Sequence, residues 1–172
     1  MKQVIYAFNQ GSAKMRDLLG GKGANLAEMT RLGFPVPKGF TLTTEACLDY
    51  LAQEDSEDLS DPVKEAIDQA LAGLQTATGK GFNDSKNLLL VSVRSGARES
   101  MPGMMDTILN VGLNDRNVES LAQITQDERF AYDCYRRLLQ MYGNVVYGLD
   151  SQLFEAHLDQ EKIRPKFVLT MN

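Results

Sequence analysis

The chain has 172 residues, 43% of them hydrophobic and 24% charged, and its net charge is −5. That length holds one domain, or one domain with a small subdomain, of ordinary globular composition. The acidic balance argues against a nucleic-acid partner, which needs a basic face, and no stretch approaches the roughly 18 apolar residues that mark a membrane span.

In chain order, "QVIYAF" at 3–8 is short, β-branched and aromatic, which predicts a strand. After the polar turn "NQGSAKMRD", residues 22–32 carry Ala24, Leu26, Ala27 and Met29 at helical spacing, and Gly33, Pro35 and Pro37 stop the helix. "GFTLTT" at 39–44 reads as a second strand, with Thr43 or Thr44 capping a helix through Leu51. The acidic run at 53–62 has no calcium-loop spacing and reads as a solvated loop. Asp61 before Pro62 predicts the N-cap of a helix to about Thr76, with Val63, Ile67, Ala70, Leu71 and Leu74 on one side.

"NLLLVSVRS" at 87–95 is a continuous apolar run of the length of a buried strand. "RSGARESMPGMMDT" follows it without a regular period and reads as a functional loop. Residues 127–149 place Ala131, Cys134, Tyr135, Leu138, Tyr142 and Val145 on one helical stripe, and a shorter helix is predicted over 151–160. The composition shifts near Asn114. The expected architecture is therefore α+β over 1–112, followed by a helical subdomain over 113–172. Cys47 and Cys134 have no C-x-x-C partner, so buried, reduced thiols in a cytoplasmic protein are expected rather than a disulfide framework or a zinc site.

"LLGGKGANLAEM" at 18–29 sets Lys22 among Gly20, Gly21 and Gly23 at the start of the first helix. Glycines allow close backbone approach, and a helix start favours an anion. A phosphate loop and a solvent-facing turn both satisfy this window. A Walker A loop does not, because Arg16 stands at its first glycine position and Gly23 at its hydroxyl position. A dinucleotide loop fails at Leu26. At the other end of the chain's central run, Arg94 and Arg98 can fork to phosphate oxygens. Pairing of an arginine with Glu99, Asp106 or a helix C-terminus is the structural alternative.

"DLLGGKGANLAEMTRLGFPVPKGFTLTTEAC", "VSVRSGARESMPGMMDTILNVGLND" and "RFAYDCYRRLLQMYGNVVYGLD" occur in this order and span roughly residues 14–160. Together they resemble the N-terminal part of the pyruvate, phosphate dikinase family. Related phosphoenolpyruvate synthases share the GGK and VRS elements. "SMPGMMDT" and "RFAYDCYRRLLQMYG" resemble the dikinase.

The resemblance implies the first lobe of an ATP-grasp-like nucleotide-binding domain followed by the helical subdomain. Family enzymes convert ATP, phosphate and pyruvate to AMP, pyrophosphate and phosphoenolpyruvate through a phosphohistidine, with Mg²⁺ and a monovalent cation. Carried over, Lys22 and Arg94 contact the nucleotide phosphates, and Gly103, Met105, Asp106 and Thr107 lie beside the nucleotide. Phosphoryl transfer needs positioned positive charge more than covalent help, which agrees with a lysine and an arginine in these places.

The family's metal ligands, phosphohistidine domain and pyruvate barrel do not fit within 172 residues. The resemblance thus implies a cloned fragment, a truncated product or half of a split enzyme. It carries no catalytic residue or metal ligand of its own, is inactive alone, and depends on the remaining domains. His157, in "FEAHLDQE", lacks the family's Thr-Ser-His setting and is expected to be structural. A phosphoenolpyruvate synthase fragment and a non-catalytic nucleotide-binding or interaction module are the alternatives. With one lobe of a cleft missing, exposed apolar surface and self-association into a homo-oligomer are expected.

Overall fold

The computed structural model describes residues 3–53, 58–96 and 106–163. Two compact units divide the chain: Met1–Leu89 with Arg94–Asp106, and Leu90–Val93 with Thr107–Asn172. Mixed helices and small sheets make it α+β.

In the first unit, β1 (Ile5–Ala7) pairs antiparallel with β2 (Phe40–Leu42), in the register Ile5–Leu42, Tyr6–Thr41 and Ala7–Phe40. Two single 3-10 turns lead from β1 into α1 (Arg16–Arg31). Leu19, Ala24 and Ala27 of α1 are buried, with Tyr6, Met15 and Leu18 packed around them. Small residues let the helix lie close to β2. A Cβ on Gly23 would stand 2.8 Å from both Cγ2 and Oγ1 of Thr41.

Glu28 ties α1 to the turn before it. Its carboxylate accepts from the Ala13 N–H at 3.0 Å and from Arg31 Nε at 3.2 Å. The Arg31 hydrogen bond, then the Ala13 N–H, hold the Glu28 pKa down from 4.5 to about 2. A depressed carboxylate stabilises the fold above its unfolded pKa, and that contribution is lost as pH falls through the folded value. Glu28→Gln should therefore flatten the dependence of the denaturant midpoint on pH between 4.5 and about 2. An unchanged pH profile would show that this contact carries none of the acid sensitivity.

Helix α2 (Thr44–Leu51) begins where expected. Thr43, buried to 1% exposure, accepts from the Ala46 N–H at 3.3 Å as its N-cap. The Thr44 hydroxyl donates to the Asp17 carbonyl at 2.6 Å, joining the starts of α1 and α2. Helix α3 (Asp61–Thr78) packs beside β1 and closes at Gly79, with φ 66°. Its N-cap is Ser60, one residue before the expected Asp61. The Ser60 carbonyl already accepts the N–H groups of Val63 and Lys64, so Asp61 joins the first turn, where its charge suits the helix dipole.

Strand β3 (Val91–Arg94), whose last residue counts with the first unit, pairs with β4 (Thr107–Val111), and the second unit adds α4 (Val118–Thr125), α5 (Glu128–Tyr147) and α6 (Ser151–Ile163). It starts before the expected helical boundary at 113 because β4 packs on α5, and Asn110 Nδ2 donates to the Cys134 carbonyl at 3.2 Å. The expected buried strand over 87–95 is corrected. Leu88 and Leu89 are buried but precede the strand, while Val93 within it is 54% exposed. A two-stranded ribbon leaves much of its surface in solvent.

Asp127 caps α5 by accepting from the Phe130 N–H at 2.9 Å. Of the expected stripe, Ala131 and Leu138 are buried, Cys134 and Tyr135 half-buried, and Tyr142 and Val145 exposed. Tyr135 donates its hydroxyl to Asp115 at 2.7 Å. Phe130, Tyr132, Leu139, Val146 and Tyr147 add exposed apolar surface to the same helix. Gly143 admits α6, since a Cβ there would stand 2.7 Å from Cζ of Phe154. Cys47 is exposed, contrary to the buried thiol expected. Among the described residues no helix is long and apolar enough to cross a membrane.

Candidate functional site

The glycine-rich stretch is a break inside α1. Gly20 has φ 68° and ψ 168°, and helical geometry resumes after it. This backbone region is essentially reserved for glycine. Lys22 is thus the second residue of the helical segment that follows the break, near the end that favours negative charge. Buried Leu19 on one side and buried Ala24 and Ala27 on the other hold the break in place. Sequence spacing alone started the helix at Lys22; the structure adds a turn, Arg16–Leu19, ahead of Gly20.

The half-buried Lys22 extends to the end of β3. Its ammonium donates to the Ser95 carbonyl at 3.3 Å, across 73 positions of sequence. Ser95 follows Arg94 directly, so the structure brings the GGK stretch to Arg94 and Ser95, all within the first unit. Arg94 is exposed, and it makes no ion pair with Asp106 or with any other carboxylate among the described residues. Asp106, also exposed, meets this segment through its backbone. Its carbonyl accepts from the Ser95 N–H at 3.0 Å and from the Ser95 hydroxyl at 3.2 Å. Thr107 opens β4 and is half-buried. Gly103 and Met105 lie outside the described residues, as do Arg98 and Glu99.

Two cationic side chains reach one strand end, which can balance the charge of a polyphosphate. Ser95, the residue that joins them, escaped the sequence reading. It contributes a backbone carbonyl, which carries no side-chain signature. Its position inside the VRS stretch was the available hint. None of the candidate residues lines the groove between β1, β2 and α3, whose walls include Phe8, Phe40, Val63 and Leu74. His157 is exposed on α6. Among the described residues no group of three or more His, Cys, Asp or Glu side chains is placed to hold a metal ion.

A protein-family profile, "Pyruvate phosphate dikinase, AMP/ATP-binding domain", matches residues 16–142. The chain is 52% identical over 162 residues to a pyruvate, phosphate dikinase of Clostridium symbiosum, covering 94% of this chain and 18% of that relative. It is 50% identical over 168 residues to one of Rhizobium meliloti (strain 1021), covering 95% and 18%. A chloroplastic relative with the same enzyme name, from Mesembryanthemum crystallinum, is 51% identical over 154 residues, covering 90% and 16%. The chain thus spans less than a fifth of the length of these relatives.

Proposed function

The chain belongs to the pyruvate phosphate dikinase AMP/ATP-binding family, and from that premise we propose that it supplies one side of an ATP site in a pyruvate, phosphate dikinase. The lobe is ATP-grasp-like. The reaction it serves converts ATP, phosphate and pyruvate to AMP, pyrophosphate and phosphoenolpyruvate, through a phosphohistidine carried by another domain. The observation that carries this reading is the approach of Lys22 to Ser95, beside Arg94. Lys22 neutralises phosphate charge as a point cation and Arg94 as a planar fork. Gly103, Met105, Asp106 and Thr107 border the nucleotide on this reading, which is cytoplasmic.

On this reading the ligands of Mg²⁺ and of the monovalent cation belong to the enzyme's other domains, as the family resemblance implies. The chain's own part is to bind the polyphosphate and orient it. Incubated with ATP, phosphate and pyruvate, the 172-residue chain is expected to bind ATP weakly and to form neither AMP nor phosphoenolpyruvate. Chromatographic detection of AMP made by the chain alone would overturn this division of labour.

A further inference from the structure

Among the described residues Ser95 makes three hydrogen bonds, and together they hold the residue in place. Its N–H and its hydroxyl both donate to the Asp106 carbonyl, at 3.0 and 3.2 Å, and its own carbonyl receives the Lys22 ammonium at 3.3 Å. The serine is exposed, so water is a ready competitor for its hydroxyl, yet the side chain turns back onto the backbone. With the residue pinned at two atoms, its carbonyl stays where Lys22 can reach it. A lysine stem is flexible and loses rotamer freedom whenever its head is held. An ammonium has three donors. One is spent on Ser95, and two remain for phosphate oxygens.

We infer that Ser95 is a positioning residue for nucleotide phosphates, holding the Lys22 ammonium in place beside Arg94 before the phosphates arrive. The inference rests on the reading of Lys22 as a phosphate contact. Holding the head in advance lowers the ordering that binding itself must supply. The serine hydroxyl matters because it doubles the tie to Asp106; the backbone N–H alone leaves the residue freer to turn.

The test is trace acetylation of the intact chain with acetic anhydride, read by mass spectrometry, with the exposed Lys14 and Lys38 as internal references. Without nucleotide, Lys22 is expected to label more slowly than Lys38. Ser95→Ala should raise the Lys22-to-Lys38 ratio about two- to fivefold, the effect of one modest hydrogen bond. Ser95→Thr, which keeps the hydroxyl, should restore the original ratio. An unchanged ratio in a folded Ser95→Ala chain overturns the proposal. If Ser95→Ala fails to fold, the unsubstituted chain and Ser95→Thr decide: parity between Lys22 and Lys38 in both overturns it, and slow labelling of Lys22 in both supports it.

ATP is then added. Protection of Lys22 that needs about two- to fivefold more ATP in Ser95→Ala than in Ser95→Thr supports positioning. Equal protection in the two overturns it. Protection in none of the chains, with the nucleotide-free difference intact, overturns the ATP reading on which the proposal rests, and the retained difference separates that failure from failure of the Lys22–Ser95 contact.

Discussion

Replacing Lys22 with alanine is expected to weaken ATP binding roughly ten- to a hundredfold, the range for losing a hydrogen bond to a charged group. The fold should survive. Lys22 makes one hydrogen bond among the described residues, to the Ser95 carbonyl, and that acceptor stays accessible to water when the lysine is removed. Thermal unfolding should therefore change little while the binding isotherm moves. In an enzyme that joins these residues to the remaining domains, the same substitution should depress formation of AMP and spare the half-reaction at phosphoenolpyruvate. Separate assays of the two half-reactions read this directly. Equal loss in both would mean that Lys22 supports folding, and no loss in either would return the GGK stretch to a simple turn.

Gly20→Ala should act differently, on stability first. With φ 68° and ψ 168°, Gly20 occupies backbone space that a Cβ makes strained, at a cost of about 1–3 kcal/mol. For a domain of this size each kcal/mol lowers the melting temperature by roughly 2–4 °C. The buried Leu19 and Ala24 prevent the break from sliding along the helix, so the strain cannot be relieved by a small shift. Melting followed by circular dichroism should show the loss, and ATP binding should fall with it because Lys22 no longer sits in the first turn of a helical segment. A Gly20→Ala chain with unchanged melting would mean that the break is not a fixed feature. The two substitutions thus separate the part proposed for the Lys22 side chain, phosphate contact, from that of the backbone break beside it.

Much of this was legible from residue chemistry. The α2 cap at Thr43 follows from a short polar side chain set before an apolar run. Lys22 and Arg94 stood out through their glycine-rich and strand-end settings, and the structure brings Lys22 to the residue next to Arg94. What escaped has physical reasons. The first turn of α1 gave no helical signal because Gly20, Gly21 and Gly23 lower helix propensity and hide its continuity.

Strand β4, "TILNV", has good strand residues in Thr, Ile and Val, but it is five residues long and follows an irregular stretch with Gly and Pro, so its own signal is weak. The apolar stripe of α5 is longer than the part of it that is covered. Helical spacing records which residues share a face, and it does not record how far along the helix a neighbour extends to cover them. Tyr142 and Val145 lie on that face and remain exposed.

Nucleotide phosphates are expected to bind where Lys22 meets the end of β3, and titration of the isotope-labelled chain with ATP, followed by amide chemical shifts, reads this residue by residue. The expected result is that shifts concentrate at residues 20–24, 94–95 and 106–107 and vanish in Lys22→Ala. Shifts concentrated instead along the groove walled by Phe8, Phe40 and Leu74, and persisting in Lys22→Ala, would contradict it.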